Sequence, residues 1–132
     1  MATLTFHGAA QQVTGSMHLL EANGKLIALD CGLFQGRRAA TREANRTHPR
    51  DPKEFHAVVL SHAHIDHTGR LPLMVRDGFT GVIHATPATR DLCEVMLTDS
   101  AMIQAADTRY IARLATENAE VKPVEPLYDR SD

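Results

Sequence analysis

The 132-residue sequence contains no tryptophan, only two tyrosines and four phenylalanines, and only two cysteines. The cysteines, Cys31 and Cys93, are far apart and form no CxxC pair. Small proteins that depend on disulfides carry several Cys pairs, so this pattern argues against a disulfide framework. Both cysteines are therefore predicted to be buried free thiols, as expected in a reducing cytoplasm.

Long hydrophobic runs and a strong charge of one sign are also missing. No apolar stretch approaches the roughly 20 residues that a membrane span needs, and the N-terminus lacks the basic start and apolar run of a signal peptide. The formal net charge of -2 gives no global indication of nucleic-acid binding. The hydrophobic fraction of 43% and the charged fraction of 23% are typical of a soluble globular domain, which we expect in the cytoplasm.

Short strands alternate with helices along the chain. Residues 3–8 alternate apolar and polar side chains, which predicts a strand. Asn23-Gly24 lies between two apolar-rich runs and predicts a β-hairpin, whose second arm, residues 26–29, is expected to be buried on both faces. Further short strands, each followed by a helix, are predicted at residues 57–60 and 82–85. This order of strands and helices predicts an α/β fold, with a mixed β-sheet flanked by helices.

Two segments are assigned structural rather than functional roles. Residues 31–53 carry six basic side chains against two acidic ones. This favours a solvated surface, with an anion-attracting rim as the alternative and one helix near residues 39–45. The long helix that begins with Thr86 as N-cap and Pro87 at its first position carries an apolar stripe. We assign the stripe to core packing; it consists of Leu92, Val95, Met96, Ile103, Ala106 and Tyr110.

A dense group of potential metal ligands, His62-Ala63-His64-Ile65-Asp66-His67, follows the strand predicted at residues 57–60. Zinc binds neutral imidazole nitrogen and carboxylate oxygen. His62 and His64 are two residues apart, so in an extended loop they project to the same side and can hold one ion. Asp66 and His67 are adjacent where a helix is predicted to begin, and both can reach a second ion. The motif therefore predicts a metal site, and three structural or solvent-exposed histidines are the weaker interpretation.

The motif resembles the signature of the metallo-β-lactamase superfamily. Other segments resemble its β-CASP branch, which includes the cleavage-and-polyadenylation endonuclease and its bacterial and archaeal relatives. The resemblance implies a partial metallo-β-lactamase fold over residues 1–132, the N-terminal part of an αββα sandwich. It extends from about Leu4 to Tyr128. The segments that carry it are residues 4–10, 13–16, 29–36, 61–69, 86–89 and 99–101.

The resemblance also implies roles for individual residues. His62 and His64 would bind the first zinc ion, and Asp66 and His67 the second. Asp30 matches an aspartate at a strand end, which is not a ligand but orients the metal loop through hydrogen bonds. The implied activity is hydrolysis of phosphodiester bonds in RNA, as in ribonucleases or mRNA 3′-end processing, with Asp66 and Asp30 as the catalytic carboxylates and RNA as the partner.

The sequence departs from the family in one respect. The family has a further histidine, a bridging aspartate and a last histidine downstream, together with the β-CASP domain, and none of these precedes Asp132. We therefore expect at most about one bound zinc ion in this chain, against two in the complete family site.

Two alternatives remain, a thioester or ester hydrolase on the same fold and a non-catalytic metal-binding fragment. His84, near a strand end, could approach the site, but we assign it to the core. We also expect self-association, or pairing with a chain that supplies the missing half.

Overall fold

Five strands form one mixed sheet in the computed structural model, which describes residues 1–36 and 38–132, with side chains for all of these except residues 38–40. The strands are β1 (Ala2–His7), β2 (Met17–Ala22), β3 (Lys25–Leu29), β4 (Phe55–Val59) and β5 (Val82–His84). They lie side by side in sequence order. β1, β2 and β3 are antiparallel neighbours, whereas β3, β4 and β5 are parallel. The predicted α/β fold with a mixed sheet is confirmed.

The turn between β2 and β3 explains why these two strands pair tightly. Asn23 and Gly24 both have positive φ angles, 50° and 72°. Two residues in the left-handed region give a turn whose twist matches that of the flanking strands, and Asn-Gly tolerates it best. The turn aligns Ala22 with Lys25 in the antiparallel register. The predicted hairpin is therefore present.

Four α-helices accompany the sheet within the described residues: α1 (Arg38–Arg46), α2 (Ile65–Thr68), α3 (Leu71–Arg76) and α4 (Pro87–Glu117). A short 3-10 turn, Pro52–Glu54, precedes β4. Gly69 separates α2 from α3, so the single helix expected after the metal motif is in fact two. The start of α4 agrees with its prediction, because the side chain of Thr86 accepts a hydrogen bond from the backbone N–H of Thr89. No helix in this part of the chain is long and apolar enough to cross a membrane.

The hydrophobic core lies on one face of the sheet only. Met17 and Ala28 are fully buried there, as are Val58 of β4 and Met74 of α3. Cys31 and Cys93 are free thiols within the same core, as predicted. Alternate residues of each strand point to this face, which packs against α3 and the first half of α4. The core thus fixes the strand ends from which the metal motif emerges.

The opposite face of the sheet, which we call the open face, carries no covering layer in the described residues. Its side chains line up across the strands in the order Leu4, Leu20, Ile27, Ala57 and Val82. Leu4 is 46% exposed and Val82 60% exposed. The expectation that β3 is buried on both faces is therefore wrong, because only Leu26 and Ala28 are buried there and Ile27 is half-buried.

The apolar stripe assigned to the α4 core is wrong for most of its residues, whereas Met96 packs against the core as predicted. Leu92, Val95, Ile103 and Tyr110 are exposed. The side that packs inward instead carries Cys93 and Ala101, with Met96 and Leu97 half-buried beside them. Ala101 packs against Leu73 of α3 and Tyr128, so the buried side of α4 includes a small residue that apolar spacing alone did not select. The predicted helix near residues 39–45 corresponds to α1, whereas Arg37 of the basic segment lies outside the described residues.

Candidate metal centre

The carboxyl ends of the three parallel strands bring the candidate site together. Asp30 follows β3, the metal motif follows β4, and His84 ends β5. The backbone N–H of Asp30 donates to the carbonyl of Val59 at 2.9 Å, and the N–H of Leu60 donates to the carbonyl of His84 at 2.9 Å. Parallel neighbours end at one edge of a sheet, and that edge of an α/β protein commonly carries the functional loops.

Three histidine rings of the motif lie close to one another. The ring centroid of His62 is 4.6 Å from that of His64 and 4.0 Å from that of His67. Nε2 of His67 is 3.6 Å from a carboxylate oxygen of Asp66. The extended segment before α2 and the first turn of α2 therefore place all four predicted ligands on one small surface.

The fit of this cluster to zinc can be judged from its donor atoms. Two donors bound to one zinc ion at about 2.1 Å and a tetrahedral angle are about 3.4 Å apart, so the 3.6 Å between Asp66 and His67 suits a shared ion. Within residues 1–36 and 38–132, however, no three His, Cys, Asp or Glu side chains are arranged to hold one ion. The donor types of the motif nevertheless fit zinc, which binds imidazole nitrogen and carboxylate oxygen.

Asp30 organises the base of the cluster through both of its carboxylate oxygens. One oxygen accepts the backbone N–H of Ser61 at 2.8 Å. The other accepts the Ser61 hydroxyl at 2.9 Å and the Ser16 hydroxyl at 3.2 Å, and lies 2.8 Å from Nδ1 of His67. Asp30 is 7% exposed and has a φ of 63°, a left-handed conformation that aspartate tolerates better than most residues. These are the contacts that a residue orienting the metal loop would make.

Backbone hydrogen bonds hold α2 against the turn that follows β3. The carbonyl of His67 accepts from Cys31 at 2.8 Å, and that of Ile65 accepts from Leu33 at 3.0 Å. Asp66 is held in the same way, since its carbonyl accepts the N–H of Ser16 at 2.9 Å. Gly32 makes this approach possible, because a Cβ at this position would lie 1.6 Å from the Asp66 carbonyl oxygen. Both predicted ligands of the second ion are thus fixed through their main chain.

Sequence reasoning missed several residues that build the site. Ser61 and Ser16 hydrogen-bond Asp30, and although both lie in segments that carry the family resemblance, neither was assigned a role at the site. Arg70, fully buried three residues after the motif, gave no signal at all. The assignment of His84 to the core is wrong: its side chain is exposed at the strand end. Arg46 of the basic segment hydrogen-bonds the backbone carbonyl of Glu125 rather than standing free.

Comparison with known proteins agrees with this architecture. The family model described as the metallo-beta-lactamase superfamily matches residues 11–128. Ribonuclease TTHA0252 of Thermus thermophilus is 52% identical over 93 residues, which cover 70% of this chain and 21% of that protein. Integrator complex subunit 11 of Danio rerio is 36% identical over 97 residues, covering 70% of this chain and 16% of that protein.

Two further similarities cover comparable parts of the chain. Transcription termination factor FttA of Methanosarcina mazei is 31% identical over 113 residues, covering 82% of this chain and 17% of that protein. The crystal structure of human tRNase Z, short form, aligns with a TM-score of 0.48 and 20% identity, covering 76% of this chain and 40% of that one. This chain spans about a fifth of the length of the curated relatives it matches. With the family model matching residues 11–128, the chain belongs to the metallo-beta-lactamase superfamily.

Proposed function

We propose that this chain contributes the zinc-binding motif of a β-CASP-type hydrolase that cleaves phosphodiester bonds in RNA. The observation that carries the proposal is the cluster of His62, His64, Asp66 and His67 at the ends of the parallel strands, anchored on Asp30. The 52% identical relative is by name a ribonuclease. The two buried free cysteines suit a reducing cytoplasm, which we propose as the location.

The proposed roles follow from the contacts of each residue. His62 and His64 hold one zinc ion, and Asp66 and His67 hold a second. Bound zinc supplies Lewis-acid catalysis to phosphodiester hydrolysis. Asp30 takes no part in binding the metal: it fixes the ring of His67 by accepting the proton on Nδ1, which leaves Nε2 as the donor.

We further propose that the chain forms the N-terminal part of a metallo-β-lactamase domain. Four side chains are too few to hold two ions and a reacting water, so the remaining ligands must come from elsewhere, either from further chain or from a partner chain. The open face of the sheet supports this proposal, because a sheet that is apolar on both faces is normally covered on both. RNA is the proposed partner, because the relative from Thermus thermophilus is by name a ribonuclease.

A second candidate function is a metal-binding fragment without activity. It is favoured by one observation, the lack of any three ligand side chains arranged around a single ion in the described residues. Under this alternative the chain binds zinc weakly and hydrolyses nothing, whether or not the remaining ligands are supplied.

A chimera tests the proposal. The 93 aligned residues of ribonuclease TTHA0252 are replaced by those of this chain, which supplies the missing ligands from a protein with 52% identity in the exchanged region. The chimera is expected to cleave labelled RNA in a zinc-dependent way, and the chimera with Asp66→Ala is expected to lose at least 100-fold of that activity. The chimera with Asp91→Ala, a change of an exposed aspartate of α4, is the matched control.

The same chimera separates the alternatives. Thioester turnover without RNA cleavage would favour the other hydrolase and defeat the RNA proposal. A folded chimera that binds zinc but cleaves neither substrate would favour the non-catalytic fragment.

A further inference from the structure

Arg70 is a charged side chain at the centre of the fold without a carboxylate partner. It is fully buried, and no aspartate or glutamate among the described residues forms an ion pair with it. Moving an arginine out of water without an opposite charge is costly, and an apolar side chain of similar length is often as stable or more stable. The presence of arginine at this position therefore calls for an explanation other than stability.

The hydrogen bonds of Arg70 to carbonyl groups join two separate segments, and its Nη2 also donates to the sulfur of Met17 in β2 at 3.4 Å. Its Nε donates to the carbonyl of Gly32 at 2.7 Å, and its own backbone N–H donates to the carbonyl of Cys31 at 3.0 Å. Its Nη1 donates to the carbonyls of Thr47 at 3.0 Å and Ala44 at 3.4 Å. The first two acceptors belong to the turn after β3, and the last two lie at the C-terminal end of α1, where the helix dipole favours a positive charge.

The two segments joined by Arg70 are the support of the metal motif and the helix beside it. Residues 30–33 bind the side chain of His67 through Asp30 and the main chain of α2 through Cys31 and Leu33. Phe34 extends the same turn: its ring lies 5.0 Å from the Arg70 guanidinium, and its backbone exchanges two hydrogen bonds with the side chain of Asn45 in α1. Arg70 thus sits at the point where the turn, α1 and the metal motif meet.

We propose that Arg70 is a positioning residue for the metal site. It holds the turn at residues 30–33 in the conformation in which the carboxylate of Asp30 contacts Nδ1 of His67. This inference rests on the proposed function, since it concerns ligands of the proposed zinc site. Arg70 touches no predicted ligand through its side chain and acts through the carbonyl of Gly32. The guanidinium is required because its planar fork reaches carbonyls on two segments at once, which the single ammonium of lysine does not.

Two substitutions of Arg70 and one control test the inference in the full chain. Arg70→Met removes the charge and the fork but keeps a long side chain in the core. Arg70→Lys keeps the charge and loses the fork. Arg90→Met, which changes an arginine of α4 that pairs only with Asp91 in the described residues, is the matched control.

The first measurement needs no metal. Amide hydrogen exchange is expected to accelerate at least tenfold at Cys31 and Leu33 in both Arg70 variants. The amide of Leu19 in the sheet is expected to keep its protection. The thermal unfolding midpoint of Arg70→Met is expected to stay close to that of the parent chain. A merely structural arginine would change all amides together through global stability. Unchanged exchange at Cys31 and Leu33 would overturn the inference.

The second measurement is the affinity for Zn²⁺, obtained by competition with a chromophoric chelator. Both Arg70 variants are expected to bind zinc about 10–100-fold more weakly than the parent chain, as for other residues that orient a ligand, and Arg90→Met is expected to bind it equally well. Affinity equal to the parent chain in a folded Arg70→Lys or Arg70→Met variant would contradict the inference. So would the unfolding of both variants, which would assign Arg70 to the core alone.

The two proposals fail separately in these experiments. A chimera with ribonuclease TTHA0252 that folds but binds no Zn²⁺ would defeat the proposed metal site, and the exchange rates of Cys31 and Leu33 in the 132-residue chain would still decide whether Arg70 holds the turn.

Discussion

Oδ2 of Asp30 lies 2.8 Å from Nδ1 of His67, and this contact determines which nitrogen of the imidazole is available to a metal. An ionised carboxylate only accepts hydrogen bonds, so the proton of a neutral His67 lies on Nδ1. Nε2 then carries the lone pair, and it is Nε2 that lies 3.6 Å from the carboxylate of Asp66. The carboxylate thus selects the tautomer that zinc requires and points its donor toward the second predicted ligand.

The first prediction concerns Asp30→Asn, which keeps the size of the side chain and the left-handed backbone. The two carboxylate oxygens accept from Ser61, Ser16 and His67, whereas an amide offers one oxygen and an NH2 group that would face donors. We expect the affinity for Zn²⁺ to fall about 10–100-fold, measured by competition with a chelator. Asp91→Asn on α4 is the control and should leave the affinity unchanged. Parent-like zinc binding by Asp30→Asn would refute the role of Asp30.

The second prediction concerns the zinc stoichiometry of the 132-residue chain. Four ligand side chains can complete one tetrahedral shell but not two, so metal analysis after dialysis is expected to give at most about one zinc per chain. The double variant His62→Ala/His67→Ala should retain none, and His84→Ala, which removes an exposed histidine at the same edge, should retain the parent value. Two tightly held zinc ions per chain would contradict the proposed incompleteness of the site.

The third prediction concerns Gly32→Ala. A Cβ at this position would lie 1.6 Å from the carbonyl oxygen of Asp66 and 2.8 Å from the backbone nitrogen of Ser16, so the backbone must move. We expect a loss of about 2–4 kcal/mol in the free energy of unfolding, measured with urea, because the close approach of α2 to the turn is lost.

Gly24→Ala is the control for this substitution. A Cβ at Gly24 meets no atom within 4 Å, so only its left-handed φ of 72° is strained. That strain costs roughly 1–2 kcal/mol, so the control separates loss of backbone freedom from steric exclusion. Equal losses for the two variants would show that the contact between Gly32 and Asp66 does not restrict the packing of α2.

The elements that local patterns specify are the ones that sequence reasoning predicted well. The Asn23-Gly24 turn, the N-cap at Thr86 and the motif after β4 each depend on residues adjacent in sequence. The placement of the motif at a strand end followed from the same local order. A family signature then connected these pieces, and the family is confirmed by the match over residues 11–128.

The failures concern contacts between residues distant in sequence. Which side of α4 is buried depends on the residues that pack against it. The small Ala101 packs against Leu73 and Tyr128, whereas the larger Ile103 is exposed. The open face left Ile27 only half-buried, since burial of a strand needs a second layer that periodicity does not reveal. Arg70 was missed because a buried arginine bound to backbone carbonyls looks, in sequence, like any surface arginine.

The fourth prediction concerns pH. Burial raises the pKa of the Cys31 thiol to about 11, from 9.0 for an accessible thiol. The folded state therefore retains a proton that the unfolded state loses between these values, and stability falls as pH rises from 9 to 11. The contribution of Cys31 is complete at pH 7 and is reduced by about 1.4 kcal/mol at pH 10.

The matching experiment compares the urea unfolding of the parent chain with that of Cys31→Ala at pH 7 and pH 10. The pKa of Tyr128 is also raised by burial, and its effect is common to both proteins and cancels in the difference. The parent chain should lose more stability than the variant over this interval. A difference that does not change with pH would show that Cys31 is not sealed from water.

The last prediction concerns the open face, which we expect to pair with the same face of a second copy. Phe6, 64% exposed, and Leu4, 46% exposed, lie on the edge strand β1 beside the half-buried Leu20. Identical faces are self-complementary about a two-fold axis, and the row from Leu4 to Val82 is wholly apolar. The row beside it on the same face runs from Phe6 through His18, Leu29 and Val59 to His84, so two histidines interrupt it.

The size of this face sets the strength of the pairing. Five strands about 4.8 Å apart and two rows of side chains cover roughly 300 Å² per copy, well below the roughly 800 Å² of a stable interface. We therefore expect a weak monomer–dimer equilibrium in sedimentation velocity at concentrations of about 100 μM, and monomers at about 1 μM. Phe6→Lys should weaken the dimer, because it removes the most exposed apolar side chain of β1 from the contact and puts a charge at its edge. Val13→Lys, which changes an exposed loop residue, should not. A parent chain that remains monomeric across this concentration range would contradict the pairing, since the open face would then be stable in water without a cover.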